Sequence, residues 1–252
     1  MIAMSTKDLV RRTLPPSAVI HLMAAMHYRK GEPELKILKS LVDRQKNSID
    51  IGANKGIYTY FLARLSRHVF AYEPNPELAE FIHKSGRSNV SVYAIALSNR
   101  SGQANLSIPL VDKFLYDQLG SLEEKAVPQG SKTYQVPLKT LDEQGHTNVG
   151  FIKIDVEGHE AATIDGAKNL LITQRPNLLI EIEQKHHPDC DISEIFAKIL
   201  ALGYKGFFLL DGELKSLDNF SLKKHQNIEN YAGLSSLGKT YICNFIFQPS
   251  QS

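Results

Sequence analysis

From Ser48 onward, short apolar runs alternate with stretches of helical periodicity, and this alternation restricts the possible folds more than any other feature. The apolar runs are SIDIG, HVFAYEP, NVSVYAIAL, GFIKIDVEG, NLLIEIE, KGFFLLD and TYICNFIFQ. Helices are expected between most of them, over 56–66, 76–85, 159–173 and 192–202. Such alternation predicts an α/β fold with a parallel sheet, right-handed crossovers and helices on both faces. We count seven strands.

Two helical segments precede this alternation. Ser17 follows a proline pair and can cap a helix, because its side chain accepts a hydrogen bond from the first turn. The apolar positions of that helix are Val19, Leu22, Met23 and Met26. A second helix is expected over 33–45. We therefore assign 1–46 to an N-terminal helical extension and 47–252 to the main domain.

Two stretches break the rhythm of the main domain. Residues 103–138 contain two possible short strands, QANLSIP and YQVPL, around a polar loop, which indicates an insertion. Residues 211–239 are polar and contain three glycines, a composition typical of a loop or lid. The count of seven strands leaves both stretches out of the central sheet.

Charge and cysteine content exclude several classes of protein. The 29 basic and 27 acidic side chains leave a net charge of +2, so no bulk charge favours nucleic acid or an anionic membrane. Only Cys190 and Cys243 occur, too few for a disulfide framework or a structural zinc site. No apolar run reaches the roughly 18 residues of a spanning helix, and none is typical of an export signal. We expect a cytoplasmic protein without nucleic-acid or integral membrane partners.

The turn after the first predicted strand carries the clearest ligand signal. Asp50 ends that strand, and Gly52 and Gly56 follow in a turn that opens a helix, where free backbone N–H groups can receive a ligand. The GxGxxG fingerprint of dinucleotide sites is absent from the turn. A carboxylate about 5 Å from a unit charge changes its energy by roughly 3 kcal/mol at an effective dielectric of about 20. The turn therefore repels pyrophosphate and favours a cationic ligand.

Glu73 indicates that the ligand also contains a nucleoside. It stands at the end of the second predicted strand, where α/β nucleotide folds place an acid that accepts hydrogen bonds from ribose hydroxyls. A cationic ligand that also carries adenosine points to S-adenosylmethionine. The alternative is a tight structural turn followed by a surface glutamate.

Several motifs, taken in order, resemble the FkbM family of S-adenosylmethionine-dependent methyltransferases. They are DIGANKG, AYEPNP, NVSVYAIALSNRSGQANL, LKTLDE, FIKIDVEGHE and NLLIEIE. The resemblance implies the class I methyltransferase fold, which is Rossmann-like, with a seven-stranded, mostly parallel sheet whose last strand is antiparallel. It also implies methyl transfer, usually to a hydroxyl oxygen of a sugar, glycan or secondary metabolite.

The same resemblance implies which residues bind the cofactor. They are Asp50, Gly52, Asn54, Gly56, Glu73 and Ala96. The first four would line the methionine and ribose end, Glu73 would bind the ribose, and the stretch around Ala96 would lie along the adenine. The segments before 49 and after about 185 carry no strong family motif, so the resemblance leaves the methyl acceptor open.

FIKIDVEGHE places three candidate catalytic residues at the carboxyl end of a buried strand, where sheet enzymes hold their chemistry. Asp155, Glu157 and His159 recur at a period of two, so they would share a face if the strand continued through them. Gly158 favours a turn into the next helix instead, which leaves their mutual geometry open. We expect Asp155 nearest the methyl group, where it holds the methionine amine or the acceptor hydroxyl, and we count it as cofactor-binding too. Glu157 or His159 would take the acceptor proton. Alternatively, Glu157 only favours the next helix N-terminus and His159 faces solvent.

A metal site is a second possibility at these strand ends. Four acids could supply the oxygen ligands that Mg²⁺ or Ca²⁺ prefers, namely Asp155, Glu157, Glu181 and Glu183. Their spacing is not diagnostic, and we assign no metal ligand. His186 and His187 superficially resemble a metal cluster, but the following proline favours an ordinary loop.

Two other functions fit the same topology. A nicotinamide-dependent oxidoreductase is one, although Asp50 and the missing GxGxxG count against it. A non-catalytic cofactor-binding protein is the other. The sequence also leaves open whether methylation occurs on oxygen, nitrogen or carbon, and whether the apolar first helix packs on its own sheet or in a homo-oligomer.

Overall fold

The computed structural model describes residues 14–108, 110–111, 114–115, 132–227 and 241–250. Its strands are β1 (Asn47–Ile51), β2 (Val69–Tyr72), β3 (Val90–Tyr93), β4 (Ala96–Leu97), β5 (Gly102–Ile108), β6 (Leu110–Val111), β7 (Phe114–Leu115), β8 (Lys132–Lys139), β9 (Val149–Ile154), β10 (Asn177–Glu181), β11 (Tyr204–Leu210), β12 (Glu213–Ser216) and β13 (Asn244–Pro249). Its α-helices are α1 (Pro16–Lys30), α2 (Leu38–Leu41), α3 (Ile57–Leu65), α4 (Pro76–Lys84), α5 (Glu160–Asp165), α6 (Lys168–Gln174), α7 (Ser193–Ala201) and α8 (Leu222–His225). None of these helices is long and apolar enough to cross a membrane.

Eight strands form the central sheet, in the order β12-β11-β13-β10-β9-β1-β2-β3. The five strands from β10 to β3 run parallel to one another. The last strand in the chain, β13, is antiparallel to both of its neighbours, β10 and β11. The predicted α/β fold, with a mostly parallel sheet and an antiparallel last strand, is confirmed.

The count of seven strands is wrong by one, because β12 pairs with β11 at the edge of the central sheet. Asp211 and Gly212 connect these two strands with φ angles of +52° and +81°. A two-residue turn with two positive φ angles matches the twist of a hairpin, and Asp-Gly is among the sequences that favour it. The polar stretch 211–239 therefore contains a hairpin strand where its composition predicts only a loop. Residues 228–240 of that stretch lie outside the described ranges.

A smaller sheet of three strands, in the order β4-β8-β5, lies beside the central one. The run NVSVYAIAL, expected as one strand, is divided between β3 in the central sheet and β4 in the small sheet. The buried side chains of the small sheet are Ala96, Leu106, Ile108, Val136 and Leu138. The strands β5 and β8 of the predicted insertion thus pack around an apolar cluster of their own.

Two expected helices are broken into shorter pieces. The segment 33–45 forms a 3-10 turn over Pro33–Lys36 followed by α2, because apolar residues spaced by three suit a 3-10 helix as well as an α-helix. The helix expected over 159–173 is divided at Gly166 into α5 and α6. A Cβ on Gly166 would lie 1.9 Å from the carbonyl oxygen of Ser98. This close contact, and the bond from Asp142 N to Gly166 O, end the first piece.

Helix α1 forms where it is predicted, but it buries a different face. Ser17 lies inside the helix and makes no capping bond. The buried residues are Val19, Ile20 and Ala24. Leu22 and Met26, which we expected on the apolar face, are 50% and 57% exposed. Ala24 is small enough for α1 to pack closely against Tyr60 of α3, and this contact sets the orientation of the helix.

Each face of the central sheet has its own apolar layer. Helices α5, α6 and α7 contribute to one layer, and α2 and α3 contribute to the other. Along β9, Ile152 and Ile154 point into the first layer and Phe151 into the second. Lys153 occupies the next position on the second face and is only 1% exposed. A charged group therefore replaces the apolar layer at the carboxyl end of this strand.

Candidate active site

The turn between β1 and α3 has a backbone conformation that requires its glycines. Gly52, Asn54 and Gly56 have φ angles of +73°, +49° and +77°. Glycine and asparagine tolerate this left-handed region best. A Cβ on Gly52 would lie 1.7 Å from the carbonyl oxygen of Asp155. Gly52 therefore lets the turn approach the end of β9, a structural role besides the ligand approach predicted from the sequence.

Asp50 lies at the carboxyl end of β1, and its side chain is buried beside this turn. The hydroxyl of Thr59 on α3 donates a hydrogen bond of 2.5 Å to Asp50 Oδ2. Burial raises the pKa of Asp50 to about 6, although the bond from Thr59 and the positive charge of Lys153 oppose the rise. A cationic ligand beside Asp50 would stabilise its ionised form.

Glu73 follows β2 and connects the end of that strand to the glycine turn. Its Oε2 accepts a hydrogen bond of 2.7 Å from the backbone N–H of Asn54, and its Oε1 accepts one of 2.8 Å from Asn75. Burial raises the pKa of Glu73 to about 7 against these two bonds. The residue is buried, so the alternative of a surface glutamate is wrong. Each oxygen still has a lone pair that can accept a hydrogen bond from a ribose hydroxyl.

Lys153 is a residue of this region that the sequence analysis missed. It is paired in register with Asp50 across β9 and β1, so both side chains lie on the same face. Its Nζ is 3.6 Å from Asp155 Oδ2 and 3.9 Å from Glu181 Oε2. Burial disfavours the charge of Lys153, but these carboxylates outweigh it and hold the pKa above its usual value. The sequence did contain a signal for this residue, because Lys153 stands at an inward position of a strand that is otherwise apolar.

Asp155 follows β9 directly. Its backbone N–H donates to the carbonyl of Ile51, which fixes the end of β9 against β1. Burial raises the pKa of Asp155 to about 6, Lys153 opposes the rise, and the nearby charges of Glu157 and Glu32 add to it. Its side chain keeps 29% of its surface exposed, so it remains accessible from the solvent side.

The other two candidate catalytic residues do not join Asp155. The shared face does not form, because β9 ends before Asp155 and the backbone of Glu157 turns to a φ of +50°. Glu157 Oε2 lies 2.7 Å from His186 Nε2, and His159 Nε2 lies 2.9 Å from Ser98 Oγ. These contacts direct Glu157 and His159 to separate neighbours, and their catalytic roles stay predictions.

The two adjacent histidines pair with acids of the β9–α5 region. Besides the contact of His186, His187 Nε2 lies 2.7 Å from Glu160 Oε2, and both side chains are buried. Glu183, one of the possible metal ligands, lies 2.8 Å from Lys185 Nζ. In the part of the chain that the structure describes, no group of three or more His, Cys, Asp or Glu side chains is arranged to hold a metal ion.

Lys153 and its neighbours Asp50 and Asp155 face a cavity of about 110 Å³. From the main domain it is lined by Asp50, Gly52, Asn54, Tyr58, Lys153 and Asp155, among others. Met23 and His27 of α1, and Glu32 just after it, also line the cavity. No candidate before Asp50 is predicted from the sequence, because α1 reaches the cavity through helix packing, which no local pattern encodes.

Ala96 lies away from this cavity. Its side chain is buried in the small sheet, in a cluster with Leu106 and Val136. The contact of this stretch with an adenine ring stays a prediction.

Residues 50–205 match the family model described as the methyltransferase FkbM domain. This segment is more than half of the chain and contains the glycine turn, Glu73 and Asp155. The chain belongs to the FkbM methyltransferase domain family. The resemblance inferred from the motifs is therefore confirmed, while α1 and Glu32 lie before the FkbM segment. A comparison with curated proteins finds no match.

Solved structures with a similar fold include a methyltransferase FkbM from Methylobacillus flagellatus KT. It aligns with 95% of this chain at 15% sequence identity and a TM-score of 0.51, and this chain spans 56% of its length. An S-adenosylmethionine-dependent methyltransferase from Aquifex aeolicus aligns with 94% of this chain and 98% of its own, at 15% identity and a TM-score of 0.44. At such identities the likeness to the Methylobacillus structure shows the fold alone.

Proposed function

We propose that this FkbM domain transfers a methyl group from S-adenosylmethionine to a hydroxyl oxygen of a sugar, glycan or secondary metabolite. The observation that carries the proposal is the set of carboxylates around the glycine turn, namely Asp50, Glu73 and Asp155. S-adenosylmethionine has a sulfonium centre, an ammonium group and a ribose, and the three acids suit all of these groups.

The structure supports a division of roles among these acids. Asp50 and Asp155 would hold the cationic methionine end, because burial raises the pKa of each to about 6 and a cation would relieve that cost. Glu73 would accept hydrogen bonds from the ribose, since its two backbone bonds already orient it. When bound, the donor supplies an electrophilic methyl group, and the side chains orient the acceptor for in-line attack.

The donor half of the proposal is tested by isothermal titration with S-adenosylhomocysteine and with NAD. We expect S-adenosylhomocysteine to bind and NAD not to bind, because Asp50 disfavours a pyrophosphate at the turn. The reverse preference would favour the oxidoreductase alternative. Tight donor binding without methyl transfer to any hydroxyl, amine or carboxylate acceptor would favour a non-catalytic binding protein.

Glu73→Gln tests the ribose contact within the same experiment. The substitution keeps the shape but replaces one carboxylate oxygen by an N–H₂ donor, so we expect S-adenosylhomocysteine to bind about tenfold more weakly. Glu77→Gln is the matched control, because Glu77 is exposed and contacts Lys132 of the small sheet. Equal affinities for the Glu73 variant and the control would remove Glu73 from the site.

The acceptor half is tested with a methyl-labelled donor and a panel of hydroxyl, amine and carboxylate compounds. We expect label in the ether products of hydroxyl compounds. Label confined to amines would leave the donor site intact and replace the proposed acceptor class.

A further inference from the structure

Glu32 contributes a carboxylate to the cavity wall from outside the FkbM segment, and one of its oxygens has no hydrogen-bond partner among the described residues. Glu32 follows α1 and lines the same cavity as Asp155. The hydroxyl of Tyr58 on α3 donates a hydrogen bond to Glu32 Oε2, and Asn244 Nδ2 lies 3.4 Å from the same oxygen. Across the described ranges, no residue forms a hydrogen bond with Oε1. The side chain is therefore oriented through one oxygen while the other is available to a ligand.

We infer that Glu32 is the catalytic residue that takes the proton of the acceptor hydroxyl, an inference that rests on the proposed function. The acceptor oxygen forms a bond to the methyl carbon while the bond between that carbon and sulfur breaks. The electron pair of the broken bond stays on sulfur. The hydroxyl proton moves to Glu32 Oε1. The products are a methyl ether, a neutral thioether and a protonated Glu32, which then releases its proton to water.

The other two carboxylates that line the cavity already have partners. Asp50 accepts a short hydrogen bond from Thr59, and Asp155 lies within 3.6 Å of Lys153. Both suit the binding of a fixed cation better than the uptake of a proton from a second substrate. The sequence candidates for the base, Glu157 and His159, contact His186 and Ser98 instead.

Tyr58 and Asn244 act as positioning residues for Glu32. Tyr58 belongs to α3, the helix that begins at the glycine turn, and Asn244 is the first residue of β13. They attach a segment outside the FkbM match to two elements of the central fold. A general base contributes about 10² to 10⁴-fold when its geometry is fixed, and this attachment fixes it.

Binding of two donor analogues tests the inference without knowledge of the acceptor. Sinefungin carries an ammonium group at the place of the transferred methyl group, and S-adenosylhomocysteine carries nothing there. A carboxylate that faces the methyl group should bind the ammonium of sinefungin through a charge-assisted hydrogen bond. For the full chain with Glu32→Gln, we expect calorimetry to show that the preference for sinefungin falls by roughly 10 to 100-fold, with unchanged affinity for S-adenosylhomocysteine.

Two further variants control this measurement. Glu34→Gln removes a carboxyl group two residues away that is buried but does not line the cavity, and it should keep the preference within about threefold of wild type. Glu32→Asp keeps the charge and should restore part of the preference. Tyr58→Phe removes only the orienting bond and should lower the preference less than Glu32→Gln does.

The outcomes separate this inference from the proposed function. Equal weakening of both analogues by Glu32→Gln, or an unchanged preference, would overturn the role of Glu32 and leave the donor site in place. Failure of the wild-type chain to bind either analogue would instead overturn the proposed function. Thermal melts of each variant identify a loss of folding. If Glu32→Gln does not fold, Glu32→Asp is measured in its place, and a sinefungin preference equal to that of wild type would overturn the role of Glu32.

Discussion

The two halves of the central sheet bury their side chains in opposite ways. Around β11 and β13 the buried groups are aromatic, and the ring of Phe245 lies 4.7 Å from that of Phe196 and 5.0 Å from that of Phe220. At the carboxyl ends of β1 and β9 they are charged, with Lys153 between carboxylates. Apolar burial stabilises the folded chain, whereas each buried charge costs desolvation energy. The aromatic half thus stabilises a fold whose other half carries buried charges at an energetic cost.

The charged half is not a balanced ion pair. Asp50, Asp155 and Glu181 surround one buried cation, and burial raises the pKa of all three acids. This excess of negative charge is unfavourable in the free protein and becomes favourable when a cation binds. We therefore expect the two halves to respond differently to mutation and to pH.

The largest expected effect is in the aromatic half. Phe245→Ala should lower the free energy of unfolding by about 3 to 5 kcal/mol, because it leaves a cavity between rings. The loss should be the same at pH 5 and pH 8. Urea denaturation measures it, and binding of S-adenosylhomocysteine to the folded fraction should be unchanged. A loss below about 1 kcal/mol would show that the aromatic cluster contributes little to stability.

Lys153→Met makes a comparable change in the charged half. At pH 8 the substitution should lower the free energy of unfolding by about 3 to 5 kcal/mol. It removes the only buried cation beside Asp155 and Glu181 in the described structure. At pH 5 the cost should be smaller, since the acids can then bind protons instead. Denaturation at the two pH values checks this, with Phe245→Ala as the control. A cost independent of pH would mean that Lys153 acts by packing alone.

Gly52→Ala tests the contact between the turn and β9. The new Cβ would lie 1.7 Å from the Asp155 carbonyl oxygen on a residue with a left-handed φ. We expect the free energy of unfolding to fall by about 2 to 3 kcal/mol and donor binding to weaken. Gly212→Ala is a matched control, because Gly212 has a φ of +81° but open space around its Cβ position. It should cost only about 1 kcal/mol and leave binding intact. Similar costs at both positions would show that the contact adds nothing to the strain.

The smallest expected effect is a pH dependence at Asp50. Its pKa rises from 3.8 to about 6 on folding, so the folded state binds its proton more tightly and wild-type stability falls as pH rises through this range. Asp50→Asn lacks this dependence. Between pH 5 and pH 8, the free energy of unfolding of Asp50→Asn should therefore rise by about 1 kcal/mol relative to that of wild type, as measured by urea denaturation. A constant difference between the two proteins would show that Asp50 titrates normally.

The sequence predicted elements best where the pattern was local. The alternation of apolar runs and helices along the chain predicts the parallel strands of the central sheet and their crossovers. The Asp211-Gly212 pair favours a hairpin, although the polar composition around it predicts only a loop. The run NVSVYAIAL showed no break, yet the chain changes sheets within it. The sequence does not mark such a change, since both sheets accept the same apolar residues.

The residues of the candidate site were also predictable only where they are close together in the chain. Asp50, Gly52, Asn54 and Gly56 are adjacent in the chain, so their shared turn was predictable from one motif. A period of two would place Asp155, Glu157 and His159 on one face only if the strand continued, and the strand ends at Ile154. Lys153 was passed over because its burial depends on acids from neighbouring strands.

The sequence alone determined the order of strands and helices, the glycine turn with its acid, and membership of the FkbM methyltransferase domain family, because each is written in residues close together in the chain. Only the tertiary structure decided that α1 and Glu32 complete the cavity and that Lys153 is enclosed by carboxylates. These contacts join segments far apart in sequence, and helix packing and strand register, which set their distances, leave no local pattern.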